Sequence, residues 1–320
     1  MPRYPAVILS FSLLIAAGCS KTTDRDRTTR VRLDLDRLNE QPYVEFYFGP
    51  YAPPGSTIFE SGLIQEQSGS FFLDLTVLAS VHSFASELQA PASDGILTWE
   101  ELSPFMSTHY YDVVGAPPSL ADFLDRANQT DIDWMDVEVD GVMTNATRHV
   151  RIPESAVRKG LDEFAANGER LLYPVGTRIL AGHVINDAVA ETTAMQKRTD
   201  GYWDFFVFDS NGQLAAETAT PPKNLVVPTQ CAGCHLGSRL YDPEKSFPGT
   251  ARPGPNGPRK IHVGDRQKNS KAVRFLDEHR KRSDGILGLY GTIYLANLLA
   301  DRGDGTINAE DAALLNKLGL

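Results

Sequence analysis

Five residues, Cys231-Ala232-Gly233-Cys234-His235, constrain this chain more than any other part of it. Two thiols with two residues between them reach neighbouring vinyl groups on one edge of a porphyrin. A histidine directly after the second thiol then falls beneath the iron. The segment therefore predicts one covalent c-type haem, attached through Cys231 and Cys234, with His235 as axial ligand. Competing uses of these thiols fit less well. A closed zinc site needs four ligands, usually from a second cysteine pair, and the chain has three cysteines in all. A thioredoxin-like pair needs a βαβ setting, which Pro228-Thr229-Gln230 does not suggest.

The N-terminus supplies a compartment. Arg3 is followed by an apolar run from Ala6 to Ala17, and small residues Ala16-Ala17-Gly18 lead into Cys19. The run falls short of the roughly 20 residues that span a bilayer and has the form of a signal peptide. Its end resembles a bacterial lipobox, with Ala16 where a larger aliphatic residue is commoner. Cys19 is the expected lipidation site, and an ordinary signal peptide cleaved nearby is the alternative. Ser20, in place of an aspartate, resembles lipoproteins sent to the outer membrane. The expected location is the bacterial cell envelope, facing the periplasm, with membrane contact by the lipid anchor only. Attachment of c-type haem outside the inner membrane agrees with export. The apolar stretch Gly285 to Ala300 contains glycines and Asn297, and reads as a buried helix.

A formal net charge of −10 argues against nucleic acid as a partner and suits a cationic redox protein. Along the chain, 1–18 is the expected leader and 19–30, polar and charged, a tether. Val31, Leu33 and Leu35 alternate as in a strand, and the run Tyr43 to Phe48 reads the same way. Phe71 to Leu88 and Ser119 to Arg126 read as helices. Thr144 to Ile152 reads as a strand and Glu154 to Asn167 as a helix closed by Gly168. Three strands follow, Arg178 to Ile185, Glu191 to Lys197 and Tyr202 to Phe208, with Asp209-Ser210-Asn211-Gly212 as a hairpin turn. Phe247 to Lys260 is irregular, Lys268 to Arg282 is a helix, and the last 35 or so residues are helical again. Trp203 with Phe205, Phe206 and Phe208 is expected to wall the haem crevice. Strand alternation allows only one face of that run to meet a porphyrin. The last methionine is Met195, so no Met follows His235 as sixth ligand. His262 and His279 are the only downstream histidines, and each reads more simply as a capping or packing residue.

Pro174-Val175-Gly176-Thr177 opening a strand, then Met195-Gln196-Lys197, then Tyr202-Trp203-Asp204-Phe205-Phe206-Val207-Phe208, the Asp209–Gly212 turn and C-x-x-C-H follow in that order. Over roughly residues 154–249 this series resembles the cytochrome P-460 family and the related cytochromes c′-beta. The resemblance implies an antiparallel β fold with helices, a single haem c and a five-coordinate iron. It also implies either hydroxylamine oxidation or binding of nitric oxide and similar small ligands. In cross-linked members a lysine bonds the porphyrin edge, and Lys197 is the position here that matches. A strand lysine in solvent is the plainer reading of the same residue. Oxidation chemistry also wants a carboxylate as proton acceptor; Asp200, Asp204 and Glu191 lie near, and the sequence does not choose among them.

Two segments look like the second half of a calcium loop: Asp94-Gly95-Ile96-Leu97 with Glu101, and Asp304-Gly305-Thr306-Ile307-Asn308 with Asp311. Glycine at the sharp turn and an acid closing the loop are what such a site requires. Both lack the first two oxygen ligands, having Ala90 and Ala92, and Ala300 and Arg302. The alternative is a helix–turn–helix joint. The whole chain is thus expected to be α+β. A mixed N-terminal α+β region spans 31–150, and an antiparallel β-rich haem domain with a helix carrying the C-x-x-C-H spans 151–255. A helical C-terminal extension, 256–320, carries the degenerate calcium loop. The expected role is electron transfer or small-ligand binding, with hydroxylamine oxidation as one alternative and a structural or calcium-binding lipoprotein without haem as another.

Overall fold

The computed structural model describes residues 29–35, 40–125, 132–140, 146–168, 170–220, 225–231, 260–279 and 287–320. Cys19, Cys234 and His235 lie outside them, as does most of the irregular segment before Lys260. The fold is α+β. A seven-stranded antiparallel sheet has the order β10-β9-β8-β7-β6-β5-β11, and a smaller mixed sheet the order β2-β3-β1-β4.

The smaller sheet is N-terminal. β1 (Arg30–Asp34) pairs antiparallel with β3 (Ser70–Asp74) and parallel with β4 (Ile96–Thr98), while β2 (Ile64–Gln67) pairs with β3. Two expectations fail here. Tyr43 to Phe48 is not a strand but lies in helix α1 (Gln41–Phe48), with Pro42 at its start. Five of its residues, Tyr43, Val44, Phe46, Tyr47 and Phe48, are buried and Glu45 is the single polar position among them, too little contrast to show a period. Proline fixes the backbone in a conformation suited to a first helical turn. Phe71 to Leu88 is not one helix. Phe71 and Leu73 point inward from strand β3. Asp74 then caps helix α2 (Leu75–Val81) by accepting from the Thr76 and Val77 amides at 2.9 and 3.2 Å. Helix α3 (Trp99–Val113) starts at a capping box: Thr98 Oγ1 accepts from the Glu101 amide, and Glu101 Oε2 accepts from the Thr98 amide.

The larger sheet begins with β5 (Trp134–Asp140) and β6 (Thr147–Pro153), so it draws strands from both sides of residue 150. Helix α5 (Glu154–Asn167) ends as expected at Gly168, which takes the left-handed conformation. β7 (Arg178–Ile185) and β8 (Ala188–Lys197) form a hairpin whose turn residues, Asn186 and Asp187, both have positive φ. β9 (Trp203–Asp209) and the short β10 (Leu214–Ala215) flank the predicted turn. There Asp209 Oδ1 accepts from the amides of Asn211 and Gln213. β11 (Lys260–His262) closes the opposite edge.

Alternation along β9 divides the core. Trp203, Phe205 and Val207 join the main cluster with the N-terminal region and the C-terminal helices. Phe206 and Phe208 face the other way, onto Leu180, Ala194 and Phe123 of helix α4 (Leu120–Asp125). Helices α6 (Ser270–His279), α7 (Leu287–Asp304) and α8 (Ala309–Lys317) form the expected helical C-terminus. Ile293, Leu295 and Ala296 of α7 are fully buried or nearly so.

Candidate functional site

Residue 231 enters the fold at a seam between the N-terminal helices and the edge of β9. Beyond its two pairs with β10, β9 has no strand partner on that side among the described residues. Two consecutive tyrosines of α3 cover the exposed backbone. Tyr110 Oη accepts from the Phe205 amide at 2.8 Å and donates to Asp204 Oδ1 at 3.1 Å. Tyr111 Oη accepts from the Val207 amide at 3.2 Å and donates to the Ala215 carbonyl at 2.8 Å. Unpaired strand N–H groups are costly when buried, so these hydroxyls do the work of a further strand. From α1, the Phe46 ring meets Phe205 and Tyr202 edge-on at 5.9 and 6.0 Å.

Thr229 to Cys231 is helical and lies against this seam. Tyr47 Oη donates to the Thr229 carbonyl at 3.3 Å, and the hydroxyls of Ser107 and Thr229 are 3.3 Å apart. Cys231 is half-buried against the main core. Burial pushes the Tyr47 and Tyr111 phenols up, and the neighbouring Cys231 thiol adds to both. Cys231 thus lies near the buried Tyr47 and the half-buried Tyr111, and Trp99 packs on the first of these, 5.0 Å from Tyr47. The seam is aromatic, with the hydroxyls of Tyr47, Tyr111, Ser107 and Thr229 already engaged in hydrogen bonds.

Three of the motif segments, Pro174–Thr177, Met195–Lys197 and Tyr202–Trp203, meet at one end of β8 and β9. Gly176, with φ +82°, allows the Pro174–Thr177 turn to donate its Gly176 amide to the Lys197 carbonyl at 2.8 Å. The Lys197 amide donates to the Thr177 carbonyl at 2.9 Å. Lys197 pairs across the sheet with Trp203. Its side chain is not in solvent, as an ordinary strand lysine would be. It is 3% exposed, with Nζ 5.1 Å from the centre of the Trp203 ring and 2.6 Å from the Gly201 carbonyl. Tyr173 meets Trp203 edge-on at 5.8 Å.

The structure separates the three candidate carboxylates. Asp200 binds Arg198 and the Tyr202 amide and remains half-exposed. Glu191 is completely buried. It receives His183 Nδ1 at 3.0 Å, the Thr220 hydroxyl and the Ala219 amide at 2.5 Å. Burial alone would raise its pKa, but these donors together hold it below the usual carboxylate range. Asp204 is pushed up to about 6, foremost by burial, against the opposing influence of Arg198 and Tyr110. Burial thus acts on Asp204 in the direction that favours a protonated carboxyl, and its partner Tyr110 is next to Tyr111 in the chain. Arg198 ties the arrangement to α1: Nη1 donates to the Phe46 carbonyl at 3.0 Å and lies 3.7 Å from Asp204.

The remaining predicted residues lie elsewhere. His279 packs between Phe164 and Phe275, each 4.7 Å away. His262 sits on β11, beside Asp140 and Glu138, at the edge of the sheet opposite β10. Both calcium-like segments are turns. In the first, Glu101 is the capping-box acid and Asp94 accepts from the Ile96 amide. In the second, Asn308 caps α8, Asp311 pairs with Arg158, and Asp304 lies 3.2 Å from Arg266. Arginine guanidinium groups thus meet the two acids proposed as calcium ligands. Among the described residues no helix is long and apolar enough to cross a membrane.

Sequence reading missed Tyr47, Tyr110, Tyr111 and Arg198. The Thr98-x-x-Glu101 capping box was the available signal for α3, which carries two of them. No protein-family model, curated protein or solved structure matches this chain. The likeness to the cytochrome P-460 family rests on the motifs alone.

Proposed function

We propose that this protein is an exported, lipid-anchored monohaem c-type cytochrome that transfers electrons or binds a small ligand of the nitric oxide type. The observation that carries the reading is Cys231-Ala232-Gly233-Cys234-His235. The half-buried seam of Tyr47, Tyr111 and Trp99 around Cys231 supports it. When bound, the haem supplies an iron centre that changes oxidation state and accepts a ligand. Cys231 and Cys234 would hold the haem covalently, and His235 would ligate its iron. The chain has no methionine after His235, which favours an open sixth position. Lys197, with Trp203, is the candidate for a porphyrin cross-link. Trp203 belongs to the same sheet face as Phe205, which abuts α1.

A second reading, oxidation of a hydroxylamine-type substrate, is favoured by Asp204. Its carboxyl, raised to about 6 by burial, is the one of the three candidates suited to accept a proton near neutral pH, and the Tyr110 hydroxyl orients it by donating to Oδ1. Absorption spectra of the reduced protein, matured with c-haem machinery, test both readings. A c-type spectrum that shifts on adding CO supports ligand binding, and one indifferent to CO supports electron transfer alone. A strongly red-shifted Soret band supports the cross-linked, oxidising form. No haem absorbance leaves the structural lipoprotein.

A further inference from the structure

β11 is a three-residue edge strand held to β5 by the pairs Lys260–Asp140, Ile261–Val139 and His262–Glu138. Directly paired residues point to the same face of a sheet, and so do residues two apart on one strand. His262, Glu138 and Asp140 therefore converge by register. His262 Nε2 lies 3.1 Å from Asp140 Oδ2 and 3.9 Å from Glu138 Oε1, and the three donor atoms all lie within 4.8 Å of one another. A tetrahedral ion with bonds near 2.1 Å separates its ligand atoms by about 3.4 Å. Small side-chain rotations satisfy that spacing without moving the backbone.

Two further observations distinguish this cluster from a simple ion pair. The Thr147 hydroxyl, across from Asp140 in the β5–β6 register, donates to Asp140 Oδ1 at 3.1 Å and turns Oδ2 toward the histidine. Ligating carboxylates are commonly oriented by such a neighbour. On the other side of Glu138, the β6 partner is His149, which is exposed on the same face. Glu138 is thus flanked across the sheet by two imidazoles. A single His–Asp pair would account for His262 and Asp140. Glu138 Oε1 also faces that nitrogen at 3.9 Å, so three metal-ligating atoms rather than two converge on one point. The ring of His262 and both carboxylates are 39–47% exposed, so an ion has direct access.

We propose that Glu138, Asp140 and His262 bind one divalent transition-metal ion of the zinc class, with its remaining positions open to solvent. One imidazole and two carboxylates suit zinc, manganese or ferrous iron. Calcium wants six or more oxygens. The bound ion clamps β11 to β5, and with it the chain that leads into α6. The site involves neither Cys231 nor its neighbours and stands whether or not a haem is attached.

The test is a zinc chloride titration of the full-length protein by isothermal calorimetry, with free thiols alkylated so that Cys231 and Cys234 cannot compete. One zinc per chain is expected. H262A should abolish stoichiometric binding. T147V, which keeps all three donors, should weaken it roughly 10–100-fold. Unchanged circular dichroism would confirm that these exposed substitutions leave the fold intact. Millimolar calcium should not displace the zinc. Absence of zinc binding, or an isotherm unaltered by H262A or by D140N, would overturn the proposal, and displacement by calcium would overturn the zinc-class assignment.

Discussion

Replacing Gly49 by alanine puts a methyl group where the end of the Arg198 side chain lies. A Cβ built on Gly49 falls well inside van der Waals contact with Arg198 Nη2 and Asp200 Oδ2. The end of a long side chain usually gives way at little cost, but this one is pinned. Arg198 is 8% exposed at its side chain, donates to the Phe46 carbonyl at the end of α1, pairs with Asp200 and neighbours Asp204. Breaking one side of a fully buried ion pair costs about 3–5 kcal/mol, an upper limit here because Asp200 is open to solvent. Partial re-solvation as Arg198 swings outward reduces this to about 2–4 kcal/mol, a large share of the roughly 5–15 kcal/mol that stabilises a domain. Urea denaturation should show the midpoint falling by about 1 M or more with an unchanged slope. Gly303, inside α7 with nothing within 4 Å of its built Cβ, is the control. Its alanine variant should gain about 0.5–1 kcal/mol. A Gly49→Ala protein within about 1 kcal/mol of the parent would refute the claim that Arg198 fastens the N-terminal region to the sheet.

Two acids, Asp204 and Glu191, should give opposite pH dependences. Asp204, raised to about 6 from 3.8, contributes stability that is full below 3.8 and lost as pH rises through 6. That shift corresponds to about 3 kcal/mol, and thermal melts of Asp204→Asn should lack this slope. Glu191 is held low, so its contribution is present above 4.5 and lost as pH falls below it. Glu191→Gln should flatten the acid limb of the same melting profile. Tyr111→Phe leaves the Val207 amide and the Ala215 carbonyl without that hydroxyl and should cost about 1–3 kcal/mol in urea denaturation. Millimolar calcium should leave the melting temperature unchanged, because Asp311 already pairs with Arg158 and Asp304 with Arg266. A clear upward shift would restore the calcium reading.

What could be read directly was what local chemistry decides. Gly168, the only residue type at ease in a left-handed cap, ended α5 where expected. The Asp209–Gly212 turn set the β9–β10 hairpin, and alternation sorted Phe205 from Phe206 and Phe208 onto separate faces. Tyr43 to Phe48 was misread because five buried apolar residues with only Glu45 between them leave too little contrast to show a period. β11 is only three residues long, too short to announce itself. The seam around Cys231 was hidden for a different reason. Tyr47 and Tyr111 lie 184 and 120 residues before it, and sequence spacing says nothing about which distant helix will cover a strand edge. Lys197 was legible as a position but not as an environment. Its burial over Trp203 follows from the pairing of β8 with β9 and from the Pro174–Thr177 turn.

The central claim is that Cys231, Cys234 and His235 hold a haem. Its most direct test is the intact mass of the exported protein, purified from cells that carry c-haem maturation machinery. The mass should exceed that of the polypeptide by one haem that survives denaturation and is lost in the Cys231→Ala, Cys234→Ala double variant. A mature protein of unmodified mass at this motif, with no haem absorbance, would contradict it.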